Sequence, residues 1–204
     1  MYKDYHIVLA SKSPRRQELL KGLDIPFEVK EISVSEDYPD SINPLEVAAY
    51  LSEKKANAYD DLDNKKTIVI TSDTIVLLDN KIFGKPQNKK EGFFMLKQLS
   101  GRTHQVITGV TLKSNSKQIT FSETSSVLFG EHSDEVLMDY IEAFNPIDKA
   151  GAYGIQDCLD PDERSLGPLN ITVMAGSYYN IIGLPVELLD EKLTSFIKEL
   201  EATQ

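Results

Sequence analysis

His6-Ile7-Val8-Leu9-Ala10 empties into Ser11-Lys12-Ser13-Pro14-Arg15-Arg16 and then into Gln17-Glu18-Leu19-Leu20-Lys21. The first run reads as a strand and the last as a helix. Ser13 suits the N-cap, and Pro14 suits the first helical position, where its missing N–H is not needed. The junction is therefore a helix start carrying two hydroxyls and two guanidinium groups. Unpaired backbone N–H groups and the positive end of the helix dipole favour an anion there, and arginine offers planar paired donors that match phosphate oxygens. Two readings follow from these residues alone. One is a phosphate-binding turn made by Ser11, Ser13, Arg15 and Arg16; the other is an ordinary capped helix with its arginines in solvent.

Outward from this junction, strands and helices interleave. Phe27 to Val34 alternates like a half-buried strand. Asn43-Pro44 opens a helix running to about Tyr59, with Leu45, Ala48, Ala49, Leu51, Ala56 and Ala58 as its apolar contacts. Thr67 to Leu78 is a β-branched run apolar on both faces, which places it at the centre of a sheet. Asp79-Asn80-Lys81 forms a turn, Ile82 to Pro86 a short return, and Lys90 to Leu99 a helix with Phe93, Phe94, Leu96 and Leu99 on its apolar side. Two strands, His104 to Lys113 and Gln118 to Phe129, form a hairpin around Ser114-Asn115-Ser116. A helix capped by Ser133 covers Asp134 to Phe144. Asp148 to Gln156 is either a short helix or a tight loop, Ile171 to Gly176 is extended, and Val186 to Leu200 is an amphipathic helix. The pattern predicts an α/β fold, a mixed twisted sheet with flanking helices, within one domain over residues 1–204.

Composition narrows the function. The chain has 204 residues, with 22 Lys+Arg against 32 Asp+Glu for a net charge of -10. No basic cluster sits in a low-complexity tail, which argues against nucleic acid and against an anionic membrane as partners. A small polyanion held by a few local cations remains compatible. No apolar run approaches the roughly 18 residues that span a bilayer, and the first residues lack a signal-peptide core, so the expected location is the cytoplasm. A single cysteine, Cys158, excludes an internal disulfide and a cysteine-based metal site.

Asp73 is the residue most at odds with its surroundings. It lies in the middle of the β-branched run, where aspartate disfavours strand interiors. A buried carboxylate needs cations, hydrogen bonds or a metal, because burial alone would neutralise it. Asp73 therefore either caps a strand end or works, as a ligand of a divalent cation or as an acceptor of a proton from water. The candidate cations are scattered: Lys55 among alanines, Lys85 between Gly84 and Pro86, Lys149 beside Asp148. Glu36, in an acidic loop, is either a second oxygen ligand or a surface charge. His6, His104 and His132 have no metal-ligand spacing, and Gly-rich nucleotide motifs are absent. A polyphosphate held by Arg and Lys and attacked by metal-assisted water fits what remains.

Leu9 to Leu20, Lys55-Ala56, Ser72-Asp73-Thr74, Gly84-Lys85-Pro86, Leu99 to His104, Asp148 to Gln156 and Gly183-Leu184-Pro185 occur in this order along the chain. In these motifs the sequence resembles the Maf nucleoside triphosphate pyrophosphatases from its first strand to its last helix. The resemblance implies two lobes around a cleft, related to the inosine triphosphate pyrophosphatase architecture and often seen as a homodimer. It implies hydrolysis of a nucleoside triphosphate to the monophosphate and pyrophosphate with a divalent metal cation, Mg or Mn. It implies the branch acting on dTTP and UTP rather than 7-methyl-GTP, because Arg15, Thr74 and Gln156 match that branch's specificity positions. Asp73 matches the family's proposed general base. Ser35-Glu36 departs from the Asp-Glu of many relatives, at the position of the second metal ligand. A nucleotide-sensing or cell-division-associated binding protein with little catalysis is the alternative.

Overall fold

In a computed structural model, the described residues are 2–62, 66–158 and 169–202. Seven strands form one sheet: β1 His6–Ala10, β2 Phe27–Lys30, β3 Thr67–Leu78, β4 Lys81–Phe83, β5 Thr103–Lys113, β6 Gln118–Phe129 and β7 Ile171–Ala175. They pair in the order β2-β1-β3-β5-β6-β7, with β4 beside β3. β1 runs parallel to β2 and β3, whereas β4 is antiparallel to β3 and β7 is antiparallel to β6. The sheet is therefore mixed. The helices are α1 Pro14–Lys21, α2 Val47–Asn57, α3 Lys89–Leu99, α4 Asp134–Phe144, α5 Tyr178–Ile182 and α6 Val186–Ala202. No described helix is long and apolar enough to cross a membrane.

The local signals in the chain explain the element boundaries. Ser13 accepts a hydrogen bond from the Arg16 N–H at the start of α1, and Ser133 does the same for Val136 at the start of α4. Asn43 caps a 3-10 turn, Pro44–Glu46, that leads into α2. Asp79 and Asn80 both take positive φ, 49° and 64°, which is the geometry of a two-residue hairpin turn between β3 and β4. Every residue of β3 but Thr74 is buried, as its apolar run on both faces predicts.

Some expectations are corrected. β2 ends at Lys30 rather than Val34, because its ladder partner β1 ends at Ala10, opposite Lys30. As an edge strand it leaves Val29 40% exposed instead of half-buried in alternation. α2 stops at Asn57, and Leu45 falls in the preceding 3-10 turn with its side chain exposed. α3 buries Gly92, Met95, Leu96 and Leu99, which turns Phe94 outward. Asp148 to Gln156 resolves into two 3-10 turns, Ala150–Ala152 and Ile155–Asp157, and α5 has no counterpart in the sequence reading.

The chain divides into two compact units, residues 1–73, 108–123 and 183–204 in the first and 74–107 and 124–182 in the second. In the first, Ile7, Leu9, Ile68, Ile70, Val110 and Leu112 from the sheet pack with Leu189, Leu193, Phe196 and Ile197 of α6. α2 is also seated on the sheet there. A Cβ at Gly109 would lie 2.3 Å from the Ala48 carbonyl carbon and oxygen and 2.4 Å from the Ala49 nitrogen, so only glycine lets helix and strand approach this closely. In the second unit, Phe129, Tyr140, Ile141, Leu96, Leu99 and Tyr153 anchor a separate apolar core.

Candidate active site

The turn after β1 is built from its own hydroxyls. The Ser11 Oγ accepts from the Ser13 N–H at 3.2 Å and the Ser13 Oγ accepts from the Arg16 N–H at 3.5 Å. A hydroxyl that accepts still has a hydrogen to donate, so both can offer O–H groups to an anion at the start of α1. The Arg16 guanidinium is tied to the backbone on two sides. Its Nε donates to the Gly183 carbonyl and its Nη1 to the Ser72 carbonyl, both at 2.8 Å. Burial lowers its proton affinity while Asp73 raises it; Arg15 acts against the charge and Glu36 in favour of it. A guanidinium stays charged through such shifts. Arg15, the neighbour on α1, is half-buried.

Asp73 sits at the end of the first unit's part of β3 and is 6% exposed. Its Oδ1 pairs with the Lys55 Nζ, which comes from the last turn of α2. The same ammonium donates to the Glu36 Oε1 at 3.0 Å. One cation thus joins a buried carboxylate to one on an exposed loop. Lys54, next along α2, holds that loop from the other side. Its Nζ donates to the Asp37 Oδ1 at 2.8 Å, the Asp37 carbonyl at 3.0 Å and the Ser35 Oγ at 3.2 Å. The Lys54 hydrogen bond, with help from Ser35, holds the Asp37 carboxyl down at about 2.

Among the described residues there is no group of three or more His, Cys, Asp or Glu that could hold a metal ion. Asp73 and Glu36 nonetheless share one cation already. Two carboxylates completed by substrate phosphate oxygens are a normal magnesium environment, so these residues fit a hard divalent cation.

The second unit holds the remaining candidates. Thr74 continues β3 and is half-buried; Lys85 and Gln156 are exposed. The Gly151 N–H donates to the Gly84 carbonyl at 3.1 Å, which ties Gly84-Lys85-Pro86 to the Asp148 to Gln156 segment. Gly151 has φ 69°, and a Cβ there would meet the Val76 side chain at 3.0 Å. Lys149 pairs with Asp148 at 3.1 Å. Sequence reasoning missed the braces of this segment. The Tyr140 hydroxyl accepts from the Gly154 N–H and donates to the Asp157 Oδ2, both at 3.0 Å, and burial pushes the phenol's pKa up. His104 bonds the Tyr153 hydroxyl at 2.7 Å, and burial lowers the imidazole to about 4, which keeps it neutral at pH 7. Lys54 was missed as well; no local signal separates it from Lys55.

The model of the Maf-like protein family matches residues 6–196. The chain belongs to the Maf-like family. This Maf-like protein is 46% identical over 197 residues to the dTTP/UTP pyrophosphatase of Porphyromonas gingivalis, covering 95% of this chain and 96% of that protein. It is 44% identical over 195 residues to the dTTP/UTP pyrophosphatase of Parabacteroides distasonis, covering 95% and 97%. The solved structure of the Staphylococcus aureus Ham1 protein aligns to it with a TM-score of 0.42 and 18% identity, over 61% of this chain and 71% of that one.

Proposed function

We propose that this Maf-like protein hydrolyses dTTP and UTP to the nucleoside monophosphate and pyrophosphate. The reading is carried by one observation: a buried aspartate paired with a lysine, in the same unit as a helix start lined with hydroxyls and arginines. The likeness to dTTP/UTP pyrophosphatases over nearly the whole chain supports the choice of substrate.

The mechanism follows from the chain's own groups. The Ser11 and Ser13 hydroxyls and Arg15, at the positive end of α1, bind the triphosphate oxygens. Arg16 fixes the carbonyl of Ser72 and so the backbone that presents Asp73. Asp73 accepts a proton from the water that attacks the α-phosphorus, the bond from that phosphorus to the α–β bridging oxygen breaks, and pyrophosphate leaves. Lys55 and Lys85 neutralise the charge that grows on the departing oxygen. Where Asp73 does not serve as the base, it would hold a divalent cation together with Glu36, and that cation would polarise phosphate oxygens as a Lewis acid. Thr74 and Gln156 contact the nucleoside. The Gln156 amide both donates and accepts, as the edge of a pyrimidine requires, whereas an ionised glutamate only accepts.

Incubation of the purified protein with a nucleotide panel and Mg²⁺ or Mn²⁺, followed by product analysis, tests the proposal. Monophosphate and pyrophosphate from dTTP and UTP are expected; diphosphate and inorganic phosphate, or binding without turnover, would overturn it. Gln156→Glu is expected to lower kcat/KM for dTTP and UTP by about tenfold or more, the scale of one mismatched hydrogen bond to a charged group. Steady-state kinetics on both nucleotides checks this.

A further inference from the structure

Thr71 precedes Asp73 by two residues on β3, so the two side chains leave the same face of the strand. Asp73 meets Lys55 of α2, and Thr71 meets the same helix one turn earlier: its hydroxyl donates to the Ser52 carbonyl at 2.6 Å. The contact continues as a chain of hydroxyls. Ser52 donates to the Ala49 carbonyl at 2.7 Å, which spends its only hydrogen. Its oxygen then accepts from Thr111 on β5 at 2.9 Å, and Thr111 accepts from Thr120 on β6 at 3.0 Å. Every hydroxyl donates once, and Thr71, Ser52 and Thr111 are fully buried. A satisfied buried network is stiff, because any shift of α2 along the sheet leaves several polar groups unpaired at once.

We propose that Thr71, acting through Ser52, is a positioning residue that sets Lys55 against Asp73. The Thr71–Ser52 bond and the Asp73–Lys55 pair are two rungs between the same strand and helix. The first rung is dry and neutral; the second is charged and reaches the reacting groups. Fixing the first fixes the height at which the Lys55 ammonium emerges. The inference rests on the reading of Asp73 and Lys55 as participants in hydrolysis.

Thr71→Val keeps the shape of the side chain and removes the hydroxyl; Thr71→Ser keeps the hydroxyl. Thr71→Val is expected to lower kcat for dTTP at least about tenfold with KM within about twofold, since misplacing a reacting group by an ångström costs rate rather than binding. Thr71→Ser is expected to restore most of it. In a Lys55→Met background Thr71→Val is expected to add no further loss, because its effect runs through Lys55. A second readout does not need turnover: acetylation of the intact protein by an amine-reactive reagent, followed by mass spectrometry, is expected to show faster labelling of Lys55 in Thr71→Val, with Lys97, which pairs with Asp134 in the second unit, unchanged. Wild-type kcat and wild-type labelling in Thr71→Val would overturn the proposal, as would a full additive loss in the Lys55→Met background, which marks a purely structural role. If the wild-type protein proves to lack turnover, the pyrophosphatase reading fails, while the labelling still decides whether Thr71 sets Lys55.

Discussion

Asp73→Asn is expected to lower kcat for dTTP by about 10³-fold while nucleotide affinity stays within a few-fold. A positioned general base contributes on the order of 10²–10⁴ in rate, and the substitution also removes one of the two carboxylates that share a cation. The change is nearly isosteric, and Lys55 keeps Glu36 at 3.0 Å, so the ammonium is not orphaned and the fold should persist. The triphosphate contacts proposed for Ser11, Ser13 and Arg15 are untouched. The rate should therefore fall without a matching loss of binding, which is the mark of an interaction made mainly in the transition state. Pyrophosphate release and calorimetric titration with a non-hydrolysable dTTP analogue measure the two quantities. Unchanged turnover would remove Asp73 from the chemistry, and a protein that only senses nucleotides would show no loss of output.

Asp73 was legible because its setting breaks a rule: an acid inside twelve residues of strand flanked by β-branched neighbours must find a partner. The capped starts of α1 and α4 were legible for a related reason, since Ser13 and Ser133 act on backbone N–H groups three residues away. Ranges that local pattern cannot see were read less well. Nothing within Phe27 to Val34 reveals that β1 runs out opposite Lys30, so the alternation alone extends the strand to Val34. Phe94 looks apolar in a helix, but its exposure depends on which face α3 turns to the second core. The site divides in the same way. Lys55, Glu36 and Asp73 could be named one at a time, but their meeting around one ammonium spans gaps of 18 and 19 residues and depends on how α2 lies on the sheet. The brace of Tyr140 on Gly154 and Asp157 spans 14 and 17 residues and left no trace in the spacing.

The seat of α2 is where fold and site become inseparable, and Gly109→Ala is expected to test it. The added Cβ would lie 2.3 Å from the backbone carbon and oxygen of Ala48, and backbone, unlike the end of a flexible side chain, cannot swing aside. α2 would have to lift from β5. Its attachments resist: Thr71 and Thr111 hold Ser52, and the Lys113 Nζ donates to the Ala56 carbonyl at 3.0 Å near the helix end. Overpacking a close-packed contact costs about 1–3 kcal/mol and more when neither side can yield, so a loss of about 3 kcal/mol is expected here. For a chain of this size that corresponds to a fall in Tm of about 6 to 12 °C, readable by thermal or urea unfolding. The same displacement moves Lys55, which lies on α2 seven residues beyond Ala48, so kcat should fall in protein that is still folded at the assay temperature. A Tm within about 2 °C of wild type would mean that the helix yields freely, and the close approach at Gly109 would then not hold α2 in place.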